Sequence, residues 1–157
     1  MVEVHLRKIT KDNLEECLAL QVKDSQKHLV ATNAQSLAQA YVDSNFSPLA
    51  VYDAAACGYE KPEVPIIGFT MYEIVAGVGF IMRLMIDKKY QGQGYGQATM
   101  IGIIRRLKLC PDVEIIATSY RKDNKIAAKL YWNIGFRQWN ISYAMSNPTE
   151  VYVKLEN

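Results

Sequence analysis

The chain has 157 residues, half of them hydrophobic and 22% charged, with 18 basic side chains against 16 acidic ones for a net charge of +2. That length suits one domain, residues 1–157, with its own core, and so even a balance of charge leaves no footprint for nucleic acid. No apolar run approaches the roughly 18 residues of a membrane span and the first residues lack a signal-peptide core. Three scattered cysteines (Cys17, Cys57, Cys110) and only two histidines (His5, His28) argue against a metal site and for free thiols in a reducing, cytoplasmic setting.

Val2, Val4 and Leu6 alternate with Glu3, His5 and Arg7, so Val2 to Ile9 reads as a half-buried strand. Asp12 and Glu15 have capping-box spacing, with Leu14, Cys17 and Leu18 as a helical stripe. Ala34, Leu37, Ala38 and Tyr41 recur at helical spacing and predict a second helix running to about Asn45, a region that Pro48 ends. A short strand, Leu49 to Asp53, leads into a loop from Ala54 to Pro65. Ile66 to Ile74 and Val78 to Asp87 read as two strands joined by a tight turn at Ala76-Gly77. A helix over Gln97 to Lys108 turns Met100, Ile103, Ile104 and Leu107 inward and stops before Pro111. Val113 to Thr118 is an apolar strand. Asp123 to Ile134 is a helix with Ala127, Leu130, Tyr131 and Ile134 on one face and Gly135 at its C-terminal end. Phe136 to Met145 and Val151 to Leu155 are the last strands. The order β-α-α-β-β-β-α-β-α-β-β predicts an α+β fold, a mixed and mostly antiparallel sheet of about seven strands flanked by four helices on its two faces.

Between the fourth strand and the third helix lies Gln91-Gly92-Gln93-Gly94-Tyr95-Gly96. A strand feeding a glycine-rich turn that opens a helix makes an anion site. The free N–H groups converge, the helix dipole favours negative charge, and the glycines let a ligand come close. A pyrophosphate is the simplest occupant; a turn that merely reverses the chain is the alternative. A dinucleotide fold would carry such a turn in its first strand–helix unit with an acid about 20 residues on, so a nicotinamide cofactor is set aside.

The turn resembles the Q/R-x-x-G-x-G/A signature of the GNAT N-acetyltransferases. The later run Asn124 to Phe136, with Ala127, Leu130-Tyr131 and Gly135-Phe136, resembles that family's second signature. The element order is similar over nearly the whole chain. The resemblance implies a GNAT-type acyl-CoA N-acyltransferase fold with a splayed pair of central strands and acetyl-CoA as cosubstrate, without a metal. Within the family, Val30 to Val42 and Met85 to Gly96 resemble the bacterial spermine/spermidine acetyltransferases. A small polyamine-like amine is then the expected partner, with no nucleic acid or membrane. An amino acid, an aminoglycoside-like antibiotic or a protein amine is the alternative acceptor, and a module that holds CoA without catalysis is the alternative function. Family members are often homodimers, and Val151 to Leu155 could pair across subunits.

The resemblance puts the pyrophosphate on the amides of Gln91, Gly92, Gln93, Gly94, Tyr95, Gly96 and Gln97, with the Gln91 side chain as a further donor. It runs the pantetheine arm beside the backbone of Leu84, Met85 and Ile86. It assigns Asn124 to that arm and Tyr131 to the departing thiolate. Seven residues separate these two, about two helical turns, so both face one way. A phenol in reach can protonate the sulfur; otherwise Tyr131 is core. Relatives often carry a carboxylate near Met82 or Arg83, whereas this chain has no acid between Glu73 and Asp87. Glu73 is therefore the candidate base, unless it is an ordinary surface glutamate. Asn33, Ser36, Tyr52 and Arg83 are the candidate acceptor residues, and Asp43, Asp53, Glu60, Glu63 and Glu73 are the acids a polycation would seek.

Overall fold

The chain is described by a computed structural model over residues 1–57, 64–141 and 147–156. Its strands are β1 (Val4–Lys8), β2 (Phe46–Asp53), β3 (Ile66–Val75), β4 (Val78–Ile86), β5 (Ile115–Arg121), β6 (Phe136–Gln138) and β7 (Glu150–Leu155). Its helices are α1 (Leu14–Ala19), α2 (Asn33–Val42), α3 (Tyr95–Lys108) and α4 (Lys125–Ile134), with a 3-10 segment at Asp24–Leu29 that the sequence reading missed. The strands form one sheet in the order β1-β2-β3-β4-β5-β7-β6. Only the β4–β5 pairing is parallel among these neighbours. The predicted order of elements and the α+β class both hold.

Apolar side chains cover the two faces of the sheet. Met100, Ile103, Ile104 and Leu107 of α3 and Tyr131 of α4 pack with Ile81, Ile116 and Val153 on one face. Cys17 of α1, with Leu37 and Ala40 of α2, packs with Ala50, Phe69, Met71 and Met85 on the other. The Ala76-Gly77 turn has φ of 53° and 80°, the left-handed pair that matches strand twist in a two-residue hairpin. Thr32 Oγ1 caps α2 by accepting from Gln35 N–H at 3.1 Å, and Asn124 Oδ1 caps α4 by accepting from Ala127 N–H at 3.1 Å.

Five expectations are corrected. Asp12 and Glu15 form no capping box; α1 begins after Asn13, whose Oδ1 accepts from Thr10 N–H, and Leu18 turns outward. Pro48 does not end a region but lies inside β2. β1 ends opposite Leu49, so at Pro48 the ladder is open on one side and a residue without an N–H is tolerated. The buried face of α2 is Asn33, Ser36, Leu37 and Ala40, while Tyr41 is 91% exposed. β7 lies between β5 and β6, and its Val153 and Lys154 are paired on both sides, so that stretch offers no free edge to a second subunit. The expected strand to Met145 ends at Gln138, and its residues 142–145 lie outside the described residues, as do Glu60 and Glu63.

Candidate active site

β4 and β5 share four rungs, Val78–Ile115 to Ile81–Thr118. Beyond them β4 continues to Ile86 and β5 to Arg121 with no shared ladder. The cause is one extra residue in β4. Tyr72 faces Ile81 and Met71 faces Arg83, so Met82 is a bulge, and a bulge bends its strand. Thr118 Oγ1 donates to the Ile81 carbonyl at 2.8 Å and pins the last rung. Past this point the strands diverge, as the splayed-pair expectation required.

Two connected cavities fill the gap. One, of about 740 Å³, is lined on the sheet side by Glu73 of β3, Arg83 of β4, Tyr120 of β5 and Glu150 of β7. The other, of about 480 Å³, is lined by Met85, Ile86, the glycine turn and α4. Leu29, Val30, Leu84, Asn124, Ala127 and Tyr131 line both, so the two are halves of one channel. Asn124 and Tyr131 therefore share a wall, as their spacing implied.

At the turn, Gly92 and Gly94 take φ of 77° and 92°, which only glycine adopts without strain. Gly94 is the N-cap of α3, whose first internal bond runs from Ala98 N–H to Gly94 O at 3.1 Å. Among the described residues, the N–H groups of residues 91–97 donate to no acceptor. Gly96 is helical, and a Cβ there would meet Leu130 at an ordinary 3.7 Å, so neither backbone conformation nor packing against α4 demands a glycine at this position. The Gln91 side chain is not a spare donor. Its carboxamide forms a reciprocal pair with Gln26 at 2.9 and 3.1 Å, and also donates to Ile86 O at 2.9 Å. Tyr95 turns its hydroxyl away to Asp53 Oδ2 at 2.9 Å. Gln93 lines a separate surface depression with Val2 and Arg105 rather than the channel.

Tyr131 is 6% exposed and belongs both to the core and to the channel wall, so the two readings of it are compatible. Its ring leans on Tyr120 and Phe136 at 6.0 and 5.8 Å. Burial pushes its phenol up to about 12, against a weaker downward pull from the Thr118 hydroxyl. It stays a proton donor throughout the neutral range.

The pleat puts the other charged groups on the opposite face. Glu73 faces Phe80 across β3–β4, Phe80 faces Ala117, Ser119 faces Tyr152 and Arg121 faces Glu150, so these side chains share the α2 side of the sheet. Burial, and then the charge of Asp43, hold the Glu73 carboxyl above its ordinary value. Arg83 donates to Met82 O and Gln39 Oε1, both at 3.1 Å, and its Nε is buried without a partner among the described residues. Burial works against its charge, and Glu150 offsets this. Over the channel, the Asp24–Leu29 segment is tied to both lips: Gln26 to Gln91 on one, and His28 Nε2 to Asp123 Oδ2 at 3.1 Å on the other.

Three expected acceptor residues are not brought to the channel. Asn33 donates to Cys17 O at 2.9 Å beneath α1, Ser36 is 1% exposed inside α2, and Tyr52 accepts from Asn13 and lies under Arg7. Each sits on a buried face because α2 and β2 turn that face to the core. Asp53 is committed to Tyr95 and to Ala55 N–H. The sequence reading missed Glu150, Phe80, Tyr120 and Tyr152 in the channel wall. The alternation of Glu150 and Tyr152 was legible, but which face met the channel depended on the β5–β7 pairing.

Among the described residues, no group of three or more His, Cys, Asp or Glu could hold a metal ion, and no helix is long and apolar enough to cross a membrane. The sequence model described as the acetyltransferase (GNAT) family matches residues 16–136. A probable spermine N(1)-acetyltransferase of Bacillus subtilis subsp. natto is 27% identical over 149 residues, covering 87% of this chain and 89% of that protein. A ribosomal protein bS18-alanine N-acetyltransferase of Haemophilus ducreyi is 29% identical over 76 residues, covering 48% of this chain and 52% of that protein. The crystal structure of the PaiA N-acetyltransferase from Thermoplasma acidophilum in complex with coenzyme A has the same fold. Its TM-score is 0.69 at 11% identity, over 99% of both chains.

Proposed function

Because the chain belongs to the GNAT acetyltransferase family and is an N-acetyltransferase, we propose that it moves the acetyl group of acetyl-CoA directly onto a primary amine of a polyamine-like acceptor. The observation that carries the acceptor class is the pair of carboxylates, Glu73 and Glu150, in the wall of the larger cavity, with Asp43 close enough to Glu73 to raise its pKa. A flexible polycation needs acids spaced along one groove. The names of the spermine-acetylating relatives point the same way.

In this reading the amides of residues 91–97 hold the pyrophosphate with the field of α3 behind them. The backbone of Leu84, Met85 and Ile86 pairs with the pantetheine arm, and one of its N–H groups stabilises the oxyanion. Asn124 spends its Oδ1 on the helix cap and keeps its Nδ2 for the arm. The acceptor arrives as an ammonium with a pKa of about 10.4. It loses one proton through water to Glu73, whose raised pKa makes it the better base. The amine nitrogen bonds to the thioester carbon, the carbon–sulfur bond breaks, and Tyr131 gives its phenolic proton to the sulfur. The second proton on nitrogen restores the phenol, leaving amide and free thiol.

A second reading, a protein or amino-acid acceptor, draws on Arg83 in the same wall, a fit for a carboxylate, and on the alanine-acetylating relative. The test is a panel of spermidine, spermine, amino acids and N-terminal peptides, each read by release of free CoA thiol. Polyamines should give the highest kcat/KM; no turnover of polyamines alongside turnover of peptides overturns the first reading in favour of the second.

A further inference from the structure

Glu150 opens β7 directly after the Asn147 turn, where its own N–H bonds to Asn147 O at 2.9 Å and Asn147 Oδ1 accepts from Thr149 N–H at 2.9 Å. Its position at the cavity wall is thus set by backbone. Two residues on, Tyr152 projects from the same face of β7, and its ring lies 6.1 Å from that of Phe80 on β4, across β5. Glu150, Phe80 and Tyr152 all line the larger cavity. Arg121 stands opposite Glu150 in the ladder but turns its Nε to Asp123 Oδ1, at 3.7 Å. Among the described residues no cation is bridged to Glu150. A carboxylate beside two aromatic faces is the chemistry that recognises an alkyl ammonium: charge from the acid, quadrupole attraction from the rings.

We propose that Glu150, walled by Phe80 and Tyr152, is the residue that anchors a non-reacting ammonium group of the acceptor and so sets its specificity for cations. The proposal rests on the cationic-acceptor reading above and assigns that reading a residue on β7 rather than on the strands or helices that precede the glycine turn. Its charge is felt by Arg83, Tyr131 and Tyr152, which line the same cavity. Glu150 is a binding residue and Glu73 remains the base, because a carboxylate that holds an ammonium favours its protonated form.

The experiment compares wild type with Glu150→Gln and Glu150→Asp at saturating acetyl-CoA, with spermidine as acceptor. Loss of one charged contact should raise the KM for spermidine by roughly 10-fold or more in Glu150→Gln, with kcat and the KM for acetyl-CoA within about threefold. Glu150→Asp, which keeps the charge, should recover a good part of the loss. A spermidine KM within about twofold of wild type overturns the proposal. So does an equal defect in both variants, which marks a structural role, or a fall in kcat at unchanged KM, which makes Glu150 the base. If wild type ignores spermidine but acetylates another amine of the panel, the polyamine reading fails alone and the same comparison runs on that amine. If wild type acetylates no amine, both readings fall.

Discussion

Glu73 and Tyr131 have their ionisation set by different surroundings, and the pH profile should separate them. The base must be unprotonated, so activity should be lost as pH falls through the pKa of Glu73, which burial and Asp43 have raised. In Asp43→Asn the second of these causes is gone, and the acidic limb of kcat/KM should move to lower pH; an unmoved limb would remove Glu73 as the base. The proposed acid, Tyr131, is pushed up to about 12 by burial, so its deprotonation should add no falling limb up to about pH 10. The place of Tyr131 in one wall with Asn124 was legible in the sequence because their spacing is local. Asn33 and Ser36 were misassigned for an equally local reason. The α2 pattern 34, 37, 38, 41 and the true inner face 33, 36, 37, 40 have the same helical period one position apart, and alanines mark a face weakly.

The β3–β4 hairpin is the element that aims the site. Its turn was readable as a dipeptide, but its bulge was not, because an extra residue shows only when the partner register is known. The hairpin also depends on Gly68, which the sequence reading passed over. A Cβ there would meet the Met85 carbonyl at 2.5 Å, against backbone that cannot swing aside. Gly68→Ala should therefore push β4 off β3 beside the residues expected to face the cosubstrate. Overpacking of this kind costs about 1–3 kcal/mol, measurable as a lower midpoint in urea, and the KM for acetyl-CoA should rise with it. A variant as stable and as active as wild type would mean that the hairpin is not held at this contact. The glycine turn, by contrast, was legible outright, since its strand, its helix and its N–H groups are all adjacent in the chain.

Across the whole molecule, helices on both faces and seven strands in sequence follow from the hydrophobic pattern and the element order. The acceptor wall does not. Glu73, Phe80 and Glu150 come from three strands, and nothing local states that β7 inserts between β5 and β6. The same insertion pairs Val153 and Lys154 of β7 on both sides and leaves β6 at the border of the sheet.

Four rungs are few for the middle of a seven-stranded sheet. If acetyl-CoA supplies the rungs that Met82 withdraws, the cosubstrate is also a splint, and the durability of the protein is tied to its supply. Saturation at about 100 times the dissociation constant adds about 2.7 kcal/mol to the folded state. Thermal midpoints should climb with acetyl-CoA concentration, and the β4 amides that point away from β3 should then exchange with solvent more slowly. Without its acyl donor the protein should then be cleaved faster by an added protease, and acetyl-CoA should slow that cleavage.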